Sequence, residues 1–132
     1  MKGIELKEIN PKAFQRLTYN FRIRNFEAKK SDLPLGNKED LFDLDFPIHC
    51  PITGLELNYK YDAPRKHGGA MDSPSYDKIN PHKGYVKGNV RVVSFLGNRM
   101  MSNVHSHKNP KEILENLSKF LIEEIKSTKW ED

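Results

Sequence analysis

Cysteine and long hydrophobic runs are what this sequence has least of. Its 132 residues include one cysteine, Cys50, which excludes an internal disulfide and a multi-cysteine zinc site. No run of about 18 apolar residues occurs, which excludes a membrane-spanning helix. The opening residues, MKGIELKEIN, lack the apolar stretch of a secretory signal. These absences predict a cytoplasmic protein with no membrane partner and no structural zinc.

The chain nevertheless has enough apolar material for a folded core. Seven phenylalanines and five tyrosines are more aromatic residues than disordered chains usually carry. The length is about that of one domain. We therefore expect a single domain over residues 1–132.

Charge is unevenly distributed along the chain, although the net charge is only +4. Residues 12–30 carry six lysines and arginines against one acidic residue, and residues 58–108 carry nine against three. Residues 31–57 reverse this, with one basic residue against six acidic ones. Basic blocks that fold onto one face bind polyanions. A solvated helix face and a lysine-rich loop would give the same counts, so charge alone leaves both interpretations open.

Two helices flank the middle of the chain. Residues 10–30 predict a basic helix, with Asn10 as a possible N-cap and Pro11 in the first turn. Apolar residues recur there along two lines, so this helix either packs on two sides or turns its basic edge outward; the lines are Phe14, Leu17, Phe21, Ala28 and Tyr19, Ile23, Phe26. Residues 109–128 predict an amphipathic C-terminal helix whose apolar stripe covers the core.

The middle of the chain predicts strands and one short helix. Residues 50–59, CPITGLELNY, have the pattern of a tight turn followed by a short strand. A second strand ends over Tyr76–Ile79, and residues 90–93 predict a third. Ser94 is a suitable N-cap for a helix over 95–102. The order strand, loop, strand, helix is a ββα unit.

This unit brings together residue types that bind hard cations. Asp77 ends a strand and Asn98 lies one turn into the helix, and oxygen ligands of this kind hold Mg²⁺. Asn89 begins the following strand and is placed to brace the loop through side-chain hydrogen bonds to the backbone. Each residue also has a plain structural interpretation, as a turn carboxylate, an exposed helix amide and a turn amide. Spacing alone does not decide between the two.

An ordered series of motifs indicates a family. The stretch SPSYDKINPHKGYVKGNVRVVSFLGNRMMSN (73–103) resembles the HNH, or ββα-metal, endonucleases, and is most similar to a group common in phage genomes. CPITGLEL (50–57) resembles the Cys-Pro element of that group. The resemblance implies an α+β fold with a ββα-metal core over 50–103. It also implies DNA as the substrate, Mg²⁺ or Mn²⁺ as the cofactor and, for a phage protein, the host cytoplasm as the location.

The resemblance further implies a role for each matching residue. Asp77 and Asn98 would be the metal ligands, and Asn89 would be the structural asparagine. Lys78 stands where many members carry the general-base histidine, and Met101 stands where a lysine is expected. A lysine with an ordinary pKa near 10.4 is protonated at pH 7 and accepts no proton from water, so Lys78 is expected to contact a phosphate.

The departure at Lys78 leaves the general base to other groups. His82, in the loop between the strands, and His67, in the preceding loop, are the nearest candidates, although both also fit ordinary surface histidines. Phosphate contacts are expected from cations around the site and on the first helix: Lys83, Lys87, Arg91, Arg99, Arg22 and Arg24.

The sequence thus predicts an endonuclease that nicks or cuts duplex DNA by phosphodiester hydrolysis. Two single-metal sites in a homodimer would be one route to double-strand cleavage. Two alternatives stay open. One is a DNA-binding module of the same fold that has lost catalysis, and the other is a protein-interaction or inhibitor module.

Overall fold

The computed structural model describes residues 1–60 and 70–130. It contains helices and strands together, which confirms the predicted α+β class. The elements in chain order are α1 (Gly3–Ile9), α2 (Pro11–Lys30), a 3₁₀ helix (Lys38–Phe42), β1 (Pro74–Lys78), β2 (Val90–Ser94), α3 (Phe95–His105) and α4 (Pro110–Ser127). The chain divides into two compact units, Met1–Arg99 and Met100–Asp132.

Helix α2 is the central element of the first unit. It begins where expected, because the Asn10 side chain accepts a hydrogen bond from the Ala13 N–H at 3.2 Å and Pro11 occupies the first turn. Its first apolar line is buried, with Leu17 and Phe21 almost fully enclosed. The second apolar line is exposed, so of the two expected arrangements, packing on two sides is not observed among the described residues.

Aromatic contacts attach the hairpin of β1 and β2 to α2. The Phe21 and Tyr76 rings meet edge to face with their centroids 5.2 Å apart. The Tyr76 hydroxyl donates a hydrogen bond to the Leu17 carbonyl of α2 at 2.9 Å. Such pairs contribute about 0.5–1.5 kcal/mol beyond the area they bury. This anchor fixes which face of the hairpin meets the core.

The two strands pair antiparallel, with Tyr76 opposite Val92 and Asp77 opposite Arg91. Because side chains alternate across a strand, Tyr76 and Val92 share the face that packs against α2. Asp77 and Arg91 therefore share the other face. The predicted order of strand, loop, strand and helix is observed, with α3 directly following β2.

The acidic segment 31–49 packs closely against the loop between the strands. A Cβ on Gly84 would lie 1.8 Å from the Pro34 carbonyl oxygen, and one on Gly36 would lie 2.0 Å from the Tyr85 carbonyl oxygen. No side chain fits at either distance, so both positions require glycine. The backbones of two segments far apart in sequence meet here.

Three elements differ from the expectations. Helix α1 was not expected, because a segment of seven residues with several charges has a weak helix signal. The burial of Leu6 holds the helix in place. No strand forms over 50–59. Glu56 makes a single isolated bridge with His49, and no further pairing extends this bridge. No residue of helix α4 is buried, so the expected burial of its apolar stripe is not observed. The apolar periodicity of α4 correctly predicted an amphipathic helix, but periodicity does not indicate which surface, if any, the apolar side chains pack against.

The second unit contains the end of α3 and all of α4. The apolar stripe of α4 is half-buried at Ile113 and Leu114 and exposed at Leu117, Phe120, Leu121 and Ile125. No helix among the described residues is long and apolar enough to cross a membrane.

Candidate functional site

Asp77 lies on β1 with its side chain buried, only 4% exposed. Arg91 stands directly opposite on β2, and its Nε donates a hydrogen bond to the Asp77 Oδ2 at 2.7 Å. Opposed residues of an antiparallel pair have their side chains on the same face, so the strand register itself creates this ion pair. The pair offsets the desolvation of the buried carboxylate.

Asn98 is held against β1 by its amide nitrogen. The Nδ2 donates to the Ser75 Oγ at 2.8 Å and to the Tyr76 carbonyl at 3.1 Å. Ser94 sets the start of α3, because its Oγ accepts a hydrogen bond from the Gly97 N–H at 3.0 Å. The cap therefore fixes the helix phase that turns Asn98 toward the strand.

Asp77 and Asn98 meet the same face of the hairpin. Ser75 and Asp77 are two residues apart on β1, so their side chains lie on one face, about 7 Å apart along the strand. Asn98 contacts the Ser75 side chain and is therefore on that face as well. The structure thus gathers Ser75, Asp77, Arg91 and Asn98 on the side of the hairpin that faces away from α2.

The chemistry of these donors fits a hard divalent cation. A carboxylate and an amide oxygen are ligands that Mg²⁺ accepts, and Mg²⁺ typically takes only one or two protein ligands beside water and phosphate. No group of three or more His, Cys, Asp or Glu residues that would suit a metal occurs in the described part of the chain. An ion at Asp77 must share the carboxylate with Arg91.

Asn89 ties the loop between the strands into a fixed shape. Its Oδ1 accepts a hydrogen bond from the Asn80 N–H at 2.9 Å. Its Nδ2 donates to the carbonyls of Asn80 and Gly84 at 3.1 and 2.8 Å. Asn89 is buried, so each of these bonds satisfies a group removed from water.

Lys78 lies on the opposite strand face from Asp77. Alternation along β1 puts it on the side of Tyr76, and its Nζ lies over the Tyr85 ring, 5.5 Å from the centroid. Tyr85 is itself buried, and this burial raises the pKa of its hydroxyl. The described contact of Lys78 is therefore with an aromatic ring of the core and not with the Asp77 face.

Of the two candidate histidines, the structure describes His82 only. His82 is exposed in the loop between the strands. Its backbone N–H, not its imidazole, donates a hydrogen bond to the Asn80 Oδ1 at 2.9 Å. His67 lies outside the described residues. His82 is thus accessible to solvent near one end of the hairpin.

The basic residues expected to contact phosphates are spread over three elements. Lys83 and Lys87 are exposed in the loop, and the Lys87 Nζ lies 3.6 Å from an Asp43 carboxylate oxygen. Arg99 on α3 places its guanidinium 5.6 Å from the centroid of Phe95. On α2, Arg22 is exposed, and the Arg24 Nη1 lies 4.0 Å from the Glu27 Oε2. Of the six predicted cations, Arg91 alone pairs with Asp77.

Cys50 joins the turn at 50–53 to the start of α3. Its sulfur accepts hydrogen bonds from the N–H groups of Ser94 at 3.1 Å and Ile52 at 3.4 Å. Burial raises the pKa of the thiol, but the hydrogen bonds from Ser94 and Thr53 outweigh it and bring the pKa to about 7. Gly97 passes close to the sulfur: a Cβ at this position would lie 3.3 Å from it, which is a tight contact.

Two contributors were missed at the sequence level. Ser75 orients Asn98, and Asp43 pairs with Lys87. Ser75 carried a usable signal, since it precedes Asp77 by two residues and must share its strand face. Asp43 carried no such signal, because its contact joins segments distant in sequence.

No protein-family description, curated protein or solved structure matches the chain.

Proposed function

We propose that this chain is a metal-dependent DNA endonuclease of the HNH, or ββα-metal, type. The observation that carries the proposal is the anchoring of Asn98 to Ser75 and Tyr76, on the strand face that holds the buried Asp77. A strand carboxylate and a helix amide on one side of a hairpin are the oxygen ligands such an enzyme needs. The motifs over 73–103 agree with this assignment.

In this proposal Asp77 and Asn98 hold Mg²⁺ or Mn²⁺. The bound cation supplies Lewis-acid stabilisation of the charge that develops on the phosphate. Arg91 orients the Asp77 carboxylate, and its guanidinium is directed to the same face, where it also neutralises phosphate charge. Asn89 keeps the loop between the ligands in one conformation, which preorganises the site.

Proton transfer is assigned to His82 within the same proposal. It is the exposed histidine of the loop that joins the two strands, and a neutral imidazole is the side chain that most often accepts a proton in catalysis. No catalytic step is assigned to Lys78, because its ammonium group lies over the Tyr85 ring on the other face of the strand. Lys83, Lys87 and Arg99 supply contacts to flanking phosphates.

A plasmid assay tests the proposal. Supercoiled DNA is expected to be nicked or linearised with Mg²⁺ or Mn²⁺ and to stay intact in EDTA. Asp77→Asn and Asn98→Ala should each lower the rate at least about a hundredfold, because the first removes the negative charge of one assigned ligand and the second removes the oxygen of the other. Asn103→Ala, which changes an exposed amide on α3, is the matched control and should cut normally.

Circular dichroism of all three variants separates loss of chemistry from loss of fold. Cleavage by folded Asp77→Asn and Asn98→Ala at the wild-type rate would refute the assigned ligands. His82→Ala tests the proton acceptor separately, with an expected loss of about a hundredfold that leaves DNA affinity unchanged.

One observation favours a second function, a DNA-binding module of the same fold without catalysis. The Asp77 carboxylate already carries a cation, because Arg91 binds it at 2.7 Å. A neutralised carboxylate attracts a metal ion less strongly. This alternative predicts salt-sensitive DNA binding by wild type with no cleavage in either metal.

A further inference from the structure

Helix α2 carries large apolar side chains on the face that points away from its own core. Tyr19, Ile23 and Phe26 are 58%, 40% and 63% exposed. Their spacing of four and three residues puts them on one side of the helix, opposite Leu17 and Phe21. A continuous exposed stripe of this kind marks an interaction surface more often than a plain solvated face.

The stripe is surrounded by positive charge. Residues 12–30 hold six lysines and arginines and one glutamate. Arg22 and Lys29 follow the stripe along one edge by helical phase. The Lys30 Nζ lies 4.9 Å from the centroid of the Phe26 ring. Exposed rings interleaved with cations combine the two attractions that hold single-stranded nucleic acid, which are stacking and phosphate contact.

A cavity of about 260 Å³ opens beside Phe26, between α2 and the segment that follows it. No acidic residue lines it; the lining is Phe21, Arg22, Asn25, Phe26, Lys29, Leu35, Gly36 and Lys38. Three of these residues are cations, so the cavity suits an anionic ligand with a flat apolar part.

The cavity wall is fixed before any ligand arrives. The Asn25 Oδ1 accepts a hydrogen bond from the Gly36 N–H at 2.8 Å, and its Nδ2 donates to the Phe21 carbonyl at 3.1 Å. These bonds hold residues 35–36 against the helix. A preformed wall lowers the ordering cost of binding.

We propose that this groove on α2 binds single-stranded nucleic acid, with an unpaired base stacked on Phe26. Arg22, Lys29 and Lys38 contact the phosphates on either side. A duplex keeps its bases stacked inside, so it offers the Phe26 ring no face to stack on. The inference does not depend on the endonuclease proposal, because none of its residues belongs to the Asp77 face.

Fluorescence anisotropy with labelled oligothymidylate, in EDTA and with the full chain, tests the proposal. We expect the single strand to bind more tightly than a duplex of equal length. Phe26→Ala should weaken binding to the single strand about 5- to 100-fold, the loss expected for one stacked base. Phe26→Trp should keep or tighten it, because a larger ring stacks at least as well.

The matched control is Phe120→Ala, which removes an equally exposed phenylalanine from α4. It should bind the oligonucleotide like wild type. Lys29→Gln should reduce the slope of log affinity against log salt by about 0.7, the value for one phosphate contact on a single strand. Circular dichroism checks that each variant is folded.

Two outcomes would overturn the proposal. One is equal affinity of wild type and folded Phe26→Ala for the single strand. The other is Phe26-dependent binding to phosphatidylserine vesicles without binding to the oligonucleotide, which would make the face a membrane surface. Binding is measured in EDTA, so an absence of plasmid cleavage, which would refute the endonuclease proposal, leaves this result unaffected.

Discussion

Arg91 is opposed to Asp77 by strand register, and this single contact shapes the candidate site. A guanidinium on a buried carboxylate stabilises the charge and orients both oxygens. The same contact competes with a metal ion for the carboxylate. The balance between these two effects is what separates the endonuclease from its non-catalytic alternative, and the plasmid assay measures it directly.

Asn89 provides a test of stability at the residue scale. Asn89→Ala removes three hydrogen bonds from a buried site and leaves the Asn80 N–H and the Gly84 carbonyl without this partner. We expect the free energy of unfolding to fall by about 2–3 kcal/mol, measured by urea denaturation. Asn103→Ala, at an exposed position, should change it by less than about 0.5 kcal/mol. A loss at Asn89 no larger than at Asn103 would contradict this account of the loop.

Cys50 predicts a pH dependence of stability. Its pKa is about 7 in the folded chain and 9.0 for a free thiol, so the folded state favours the thiolate. The resulting stabilisation is fully present above about pH 9 and is lost as the pH falls through about 7. Between pH 6.5 and 9.5, wild type should gain roughly 2 kcal/mol in unfolding free energy relative to Cys50→Ser, measured with reductant present. A difference that does not vary with pH would refute the lowered pKa.

At the scale of elements, the loop between β1 and β2 is positioned by backbone contact with the acidic segment. Gly84 lies so close to Pro34 that a Cβ would overlap the carbonyl oxygen. The contact holds the loop that carries Asn80, His82 and Lys83 against segment 31–49, so the position of the loop depends on that segment.

Gly84→Ala should therefore destabilise the first unit. The added methyl group forces the two backbones apart, and we expect a loss of about 3 kcal/mol in unfolding free energy. Gly88→Asn is the matched control, because Gly88 has open space around it and a φ of +86°, a conformation that asparagine tolerates. A similar loss in both variants would show that the close approach at Pro34 is not what makes Gly84 necessary.

Across the whole molecule, the modest net charge conceals local differences. The acidic segment partly neutralises the basic loop, as the contact between Asp43 and Lys87 shows. Both side chains are exposed, so this pair contributes little to stability, and Lys87 is available to exchange Asp43 for a phosphate. Helix α2 has little such compensation, because Glu27 is the one acidic residue among residues 12–30.

The fold was predictable in its periodic elements. Helix α2 matched its predicted bounds, because Asn10 and Pro11 are local start signals and the buried apolar line repeats at helical spacing. Helix α3 was anticipated from the Ser94 cap, helix α4 from its helical apolar spacing, and both strands from their strand-forming residues. Helix α1 and the absence of a strand over 50–59 were not, since the burial of Leu6 and the failure of pairing to extend beyond the His49–Glu56 bridge are tertiary properties.

The sequence by itself singled out Asp77 and Asn98 as candidate ligands and Asn89 as the candidate brace of the loop, through motif order and through local strand and helix signals. Tertiary structure decided their surroundings. Strand register gave Asp77 the Arg91 partner, strand alternation turned Lys78 toward Tyr85, and the burial of one side of α2 left Phe26 exposed. The physical reason is that local signals act over one or two turns of chain, whereas register, facing and exposure depend on segments that meet only in the folded molecule.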